Sequence, residues 1–191
     1  MPSAPQVEPP AIKVFGVIHL VFAGIGFLTG AWNLMSSMFS HMFLDSRSPA
    51  YQAQLRMQTE LHWVALMTGA FLILLAMLLL ISGLKLVRSQ PDGIPWSNRY
   101  AWTSIATKLI SLAVTVIWVL PVMKQGMNDV MANSGLPGGM EKGMSSAMGP
   151  LMTISSILTP VFSCIYPVLA LYFLNRADAK AWRSGRLAGA P

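Results

Sequence analysis

The sequence predicts an all-α integral membrane protein whose four transmembrane helices form an antiparallel bundle. Hydrophobic residues make up 54% of the chain and charged residues only 10%, against about 25% charged residues in soluble domains. The apolar residues are concentrated in four blocks, 12–35, 61–84, 101–120 and 151–174. Each block is long enough for a membrane span, because a helix needs about 20 residues to cross the hydrocarbon core of a bilayer. Because backbone groups in lipid must be satisfied within the protein, and the alternation of barrel strands is absent, the blocks are predicted to be helices.

The first two blocks have clear flanking signals. A proline-rich segment, residues 1–11, precedes span one and is predicted to be a disordered cytoplasmic tail. Ser48 and Pro49 predict an N-cap and first turn of a helix that continues into span two. The short connection after span two contains Pro91 and Gly93. These helix breakers predict a tight turn, so spans two and three should form a helical hairpin.

The second pair of spans is less regular. Residues 122–133 have the pattern of a helical continuation of span three, and the glycine-rich stretch 131–150 is predicted to be a mobile loop. Span four contains Pro160 and Pro167, and each proline removes one amide donor and frees the carbonyl four residues earlier. Span four is therefore predicted to be interrupted.

Charged residues predict the orientation of the chain. The formal charge is +6, and the basic residues flank the apolar blocks. One side would carry eight of them: Lys13, Lys85, Arg88, Arg99, Arg176, Lys180, Arg183 and Arg186. The other side would carry four: Arg47, Arg56, Lys124 and Lys142. The positive-inside rule then places both termini in the cytoplasm. Residues 12–176 would form a single membrane domain and 177–191 a basic cytoplasmic tail.

This distribution also accounts for the positive charge. Basic residues beside spans contact anionic lipid headgroups, so no nucleic-acid partner is predicted. The bilayer itself is the expected partner, together with another membrane protein or a second copy of this chain. We expect the protein in the cell membrane, which in a bacterium would be the inner membrane.

Small residues predict where the helices pack, because close backbone approach favours association in lipid. They recur every three or four positions in the first two spans. The predicted packing positions are Gly16, Ala23, Gly26 and Gly30 in span one, and Ala65, Gly69, Ala76 and Gly83 in span two. We therefore expect these two helices to pack closely.

Four polar side chains are predicted to form an intramembrane cluster: Lys108, His19, Ser163 and Tyr166. Lys108 could extend its ammonium group to the headgroups. It could instead bond to the Ser163 carbonyl or the Tyr166 hydroxyl, or bind an anion or lipid headgroup together with His19. The four apolar blocks contain no Asp or Glu, which argues against a carboxylate proton relay.

The 14 methionines are unevenly distributed. Two runs have four-residue spacing, at 123, 127 and 131 and at 140, 144, 148 and 152. Thioethers suit Cu(I), and His41 and His62 would lie on the same side of the membrane. Methionine also forms adaptable contact surfaces, so a partner or the membrane interface is the favoured interpretation.

The sequence contains no motif that predicts a reaction. Catalytic fingerprints and paired carboxylates are missing, and the single cysteine, Cys164, has no nearby metal-ligand pattern. No catalytic residue, cofactor or metal site is predicted. The leading hypothesis is a non-enzymatic membrane subunit or modulator that contacts another membrane protein or lipid. The alternatives are a small transporter with a polar path around Lys108 and, less favoured, soft-metal handling.

Overall fold

The structure is a computed structural model that describes residues 8–39, 42, 51–132 and 138–188, and these residues contain helices and no strand. The helices are α1 (Pro10–Phe39), α2 (Tyr51–Val87), α3 (Gly93–Val114), α4 (Leu120–Ala132), α5 (Gly138–Ser163), α6 (Ile165–Leu174) and α7 (Ala177–Ala188). A π-helical turn, Thr115–Val119, joins α3 to α4 without a break.

Four helical stretches of the described chain are long and apolar enough to cross a membrane. They are Pro10–Phe39, Tyr51–Val87, Gly93–Met131 and Thr153–Leu174. Each contains most or all of one predicted apolar block, so the prediction of four helices long and apolar enough to cross a membrane is confirmed. Helix α1 shows why such a helix suits lipid rather than water. Its exposed face carries large apolar side chains, including Val14, Val17, Val21, Ile25 and Leu28.

Helices α2 and α3 extend beyond their predicted spans. The prediction of a helix that leads into span two is confirmed from Tyr51 onward, while Ser48 and Pro49 lie outside the described residues. Helix α3 already begins at Gly93, within the segment predicted to be a turn. Pro95 is compatible with this start because a first-turn residue has no intrahelical partner for its amide.

The turn between α2 and α3 is short and is closed by local hydrogen bonds. The Ser89 amide donates to the Leu86 carbonyl at 3.0 Å, and the Gln90 amide donates to the Lys85 carbonyl at 2.9 Å. Ser89 has a φ of 53°, so this is a Schellman-type ending with serine where glycine is usual. The Ser89 hydroxyl donates to the Glu8 carboxylate at 2.8 Å, which ties the residues before α1 to this turn.

The π-helical turn has a local cause in the sequence. The Leu120 amide donates to the Thr115 carbonyl, five residues earlier. Pro121 follows directly and cannot donate to Ile117, so a wider turn adjusts the ladder around the missing bond. The helix then continues to Ala132, which confirms the predicted continuation of span three up to that residue.

The glycine-rich region and span four differ from expectation. A mobile loop was predicted over 131–150, but α5 is helical from Gly138 and contains Pro150 and Pro160. That prediction was wrong from Gly138 onward, because helix propensity is a weak guide where longer-range structure decides. The interruption of span four occurs at Cys164, between α5 and α6. Pro160 lies inside a helix, and Pro167 lies in the first turn of α6.

The chain forms two compact units. Unit 1 takes its described residues from Met1–Thr29, Phe71–Thr107 and Ser163–Pro191. Unit 2 takes its described residues from Gly30–Ala70 and Lys108–Phe162.

Unit 1 contains two apolar clusters. The first combines residues from the ends of several helices with two residues of α7: Ile12, Phe15, Leu86, Ile94, Ala170, Leu174, Ala179 and Trp182. The second consists of Ala23, Leu75, Leu79, Tyr100 and Ala101. Thus the segment 177–191, predicted only to be a basic tail, includes a helix whose Trp182 is 1% exposed.

Helices α1 and α2 approach closely within each unit. In unit 1, a Cβ added to Gly16 would lie 2.9 Å from the Val87 amide nitrogen, and one added to Gly83 would lie 3.0 Å from the Gly16 carbonyl oxygen. In unit 2, a Cβ added to Gly69 would lie 3.2 Å from the Gly30 carbonyl oxygen. The two backbones approach so closely that side chains larger than hydrogen would force them apart at these points.

The close approach of α1 and α2 can be tested by replacing Gly16 with alanine. The Gly16→Ala methyl group would meet backbone that cannot rotate away, so we expect a loss of about 1–3 kcal/mol in unfolding free energy. The matched control is Gly24→Ala on the same helix, where an added Cβ meets nothing within 4 Å. Thermal unfolding in detergent should show a lowered Tm for Gly16→Ala alone. Equal Tm values for the two variants would contradict this packing.

Candidate functional site

The most polar buried site in unit 1 is centred on His19, whose side chain has no exposed surface. The Ser97 hydroxyl oxygen lies 2.9 Å from its Nε2 atom. The Tyr166 hydroxyl oxygen lies 2.5 Å from its Nδ1 atom. Both imidazole nitrogens are therefore hydrogen-bonded, and three helices, α1, α3 and α6, are linked through one ring.

Aromatic rings surround this imidazole. The centroids of Tyr100 and Tyr166 lie 5.6 Å from that of His19, and the centroid of Phe15 lies 6.5 Å away. Phe22 packs edge-on against Tyr166 with a centroid separation of 4.6 Å. These rings form an apolar shell, so the hydrogen-bonded groups lie in a region of low polarity. Hydrogen bonds there are strong, and breaking them is costly.

The order of groups around His19 limits what the site can do. A serine hydroxyl on one imidazole nitrogen and an orienting group on the other resemble the hydrogen-bond order of an acyl-transfer triad, with a phenol in place of a carboxylate. Ser97 is only 1% exposed, so a substrate carbonyl has no approach to its hydroxyl in this structure. Each hydroxyl can donate or accept, which lets a neutral imidazole satisfy both nitrogens in either tautomer. The arrangement therefore suits a structural link between helices.

The predicted polar cluster divides between the two units. His19 and Tyr166 belong to unit 1 and are in direct hydrogen-bond contact. Ser163 is exposed, ends α5 and is also assigned to unit 1. Lys108 belongs to unit 2, where its side chain is half-buried. The hydrogen-bonded site of unit 1 thus contains two of the four predicted residues, His19 and Tyr166, and Ser97 is its third member.

The partners that α3 contributes were not predicted. Ser97 and Tyr100 lie before residue 101, where span three was predicted to begin, but both are buried residues of α3. Their spacing of three residues places them on one helical face, which could have indicated a buried face. A second polar link was also missed. The Asn98 and Asn175 side-chain amides donate to each other's oxygen atoms at 3.1 and 2.9 Å.

Unit 2 contains an open polar groove of about 610 Å³. The described residues that line it come from the first three turns of α2 and from α4: Gln52, Ala53, Leu55, Arg56, Thr59, Glu60 and Asp129. Both signs of charge are present, and the glutamate and arginine side chains are exposed. Nearby in the chain, His62 Nδ1 lies 2.9 Å from the Ser37 hydroxyl oxygen. His62 is thus engaged in a link between α1 and α2.

The methionines of unit 2 fall into two groups. Met35 and Met38, at the end of α1, are 55% and 65% exposed. Met131 is only 8% exposed, and the Met57 sulfur would lie 2.8 Å from a Cβ added to Gly126. The run at 123, 127 and 131 therefore contributes partly to packing. The side chains at 140, 144, 148 and 152 lie outside what the structure describes.

Comparison of the chain with protein-family models, with curated proteins and with solved structures finds no match. The site must therefore be interpreted from its own geometry.

The structural role of the His19 site can be tested by replacing Tyr166 with phenylalanine. Removing the phenol leaves Nδ1 of a fully buried imidazole without this partner, so we expect a loss of about 1–3 kcal/mol in unfolding free energy. The control is Tyr172→Phe on the same helix, since Tyr172 is 64% exposed and exposed substitutions usually change stability by less than about 0.5 kcal/mol. The two Tm values in detergent provide the comparison. A Tyr166→Phe protein as stable as the control would show that this hydrogen bond is dispensable.

Proposed function

We propose that the protein is a non-enzymatic subunit or modulator of another membrane protein. One observation carries this proposal: both ring nitrogens of His19 are already hydrogen-bonded within the protein, one to Ser97 and the other to Tyr166. An enzyme or transporter needs polar groups that can reach a substrate. In this cluster those groups bond to one another behind aromatic rings, which favours a role in holding the helices together.

In this proposal the four spans form an antiparallel bundle with both termini in the cytoplasm. The assignment of charges to units supports it. All eight basic residues predicted for the cytoplasmic side belong to unit 1, and Arg56 and Lys124, predicted for the other side, belong to unit 2. With the termini in the cytoplasm, the excess of basic residues on that side follows the positive-inside rule.

The partner would bind to unit 2. There the end of α1 exposes Trp32, Met35, Met38 and Phe39, and α2 begins with the polar turns that line the groove. Aromatic residues and methionine are enriched at protein interfaces, and mixed charges specify the partner. Exposed apolar residues also face lipid in any membrane protein, so the adjacent polar groove is what favours a protein partner here.

The transport alternative needs a continuous polar route. Within unit 1, the rings of Phe15, Tyr100 and Tyr166 surround His19, which argues against such a route through this cluster. The soft-metal alternative needs converging thioethers, whereas Met57 packs against Gly126 and Met131 is buried. Both alternatives therefore receive less support than partner binding.

The proposed orientation can be tested with single cysteines in a Cys164→Ser background. Gln52 lies in the exposed first turn of α2 and Ser184 on the exposed surface of α7. A membrane-impermeant maleimide should label Gln52→Cys in intact cells and Ser184→Cys only after permeabilisation. The reverse pattern would place the termini outside, and labelling of both in intact cells would contradict four crossings.

Partner binding can be tested by site-specific photocrosslinking in native membranes. A benzophenone amino acid at Met38, which is 65% exposed in unit 2, should give one discrete adduct with a different membrane protein. The matched position is Val17, which is 54% exposed on α1 in unit 1 and should crosslink only to lipid. The same protein should co-purify with the wild-type chain in a constant ratio in mild detergent.

Two results of this experiment would contradict the proposal. An adduct of twice the chain mass from Met38, with no other protein, would identify a second copy of this chain instead of a separate partner. Identical adduct patterns from Met38 and Val17 would mean that unit 2 has no specific contact.

A further inference from the structure

Unit 1 has a strongly asymmetric charge. It contains the eight basic residues named above and only three acidic residues, Glu8, Asp92 and Asp178. Two of the acidic residues are already engaged. Glu8 pairs with Lys13 at 3.6 Å, and Asp92 pairs with Lys85 at 3.7 Å. Among the described residues, the six remaining basic side chains make no ion pair: Arg88, Arg99, Arg176, Lys180, Arg183 and Arg186.

These basic residues are located at one end of unit 1. Helix α7 packs through Ala179 and Trp182 onto a cluster that contains Ile12, Leu86 and Ile94. Ile12 lies near the beginning of α1, Leu86 near the end of α2 and Ile94 near the beginning of α3. Helix α7 therefore covers the end at which these three membrane-crossing helices leave the apolar region.

At this end of unit 1, tryptophan rings contact several of the cations. Lys85 Nζ lies 5.6 Å and the Arg99 guanidinium 5.1 Å from the Trp96 ring centroid. The Arg186 guanidinium lies 5.8 Å from the Trp182 ring centroid. Tryptophan is enriched at the level of lipid headgroups, and cation–π contacts favour a defined position of each charge.

Two adjacent donors on α7 also lack an acceptor. The Trp182 Nε1–H and the Arg183 Nε–H are covered by protein and have no hydrogen-bond partner among the described residues. A covered donor without an acceptor costs about 1–3 kcal/mol. Because both atoms are covered, a headgroup would meet other atoms of the partly exposed Arg183 side chain, and guanidinium–phosphate hydrogen bonds are charge-assisted.

We propose that α7 and the α2–α3 turn together form a binding surface for the headgroup phosphate of anionic phospholipids. The surplus of cations without a carboxylate partner gives the attraction, and the indole rings place it at headgroup depth. This surface belongs to unit 1 and does not depend on the partner proposed for unit 2.

The test uses the full-length protein, delipidated in mild detergent and titrated with phosphatidylglycerol or phosphatidylcholine, with bound lipid counted by native mass spectrometry. The wild type should bind phosphatidylglycerol at least tenfold more tightly than phosphatidylcholine. Lys180→Gln with Arg186→Gln changes two exposed side chains. This pair should weaken phosphatidylglycerol binding by about 25-fold, because each cation near an anionic surface contributes about 1 kcal/mol, or about fivefold.

The matched control is Arg56→Gln with Lys124→Gln, which removes two exposed cations of unit 2 and should leave the affinity within twofold of the wild type. An equal loss in both double variants would overturn the proposal, because net charge rather than α7 would then govern binding. Should the α7 double variant not fold, Lys180→Gln alone decides. A fivefold loss of phosphatidylglycerol affinity in this single variant would support the proposal, and an unchanged affinity would refute it.

A third titration adds inorganic phosphate to the wild type with bound phosphatidylglycerol. We expect the lipid to remain bound at equal concentrations, since the indole rings place the surface at headgroup depth. Displacement of the lipid by inorganic phosphate would overturn the proposal in favour of a site for soluble phosphate.

Discussion

An imidazole among membrane-crossing helices must find its hydrogen-bond partners within the protein, and this constraint organises unit 1. In lipid, each unsatisfied polar group costs several kcal/mol. His19 meets the requirement by taking Ser97 from α3 and Tyr166 from α6. The packing of α1 against both helices is therefore fixed in register by one side chain. The aromatic rings around it exclude competing partners, so the polar link and the apolar packing support the same arrangement.

The demands of lipid also explain why the four long apolar helices were predictable from sequence while their ends were not. A hydrocarbon core imposes a minimum length and a near absence of charge, and both can be read directly from composition. Outside the core those constraints end. Pro91 and Gly93 predict a turn, but α3 already begins at Gly93, and Pro95 lies in its first turn, where a missing amide has no consequence. The glycine-rich region from Gly138 onward is helical although glycine is a poor helix former, because intrinsic propensity is only a weak guide to helix formation.

The candidate site was only partly predictable for a related reason. The apolar pattern of a span shows which polar residues lie within it but not the direction in which each side chain faces. Of the four residues grouped in the prediction, His19 and Tyr166 are hydrogen-bonded to each other, whereas Lys108 belongs to the other unit. Ser97 was not grouped with them because span three was predicted to begin at residue 101, so Ser97 lay outside every predicted span.

Unit 1 is assembled from the beginning, the middle and the end of the chain. His19 and Tyr166 are 147 residues apart in sequence, and Trp182 of α7 completes a cluster that contains Ile12. During synthesis the first helix is therefore made long before its last contacts exist. Unit 2, formed by residues from the interior of the chain, has all of its segments available earlier. The packing around the beginning of α1 can be completed only after α7 has left the ribosome.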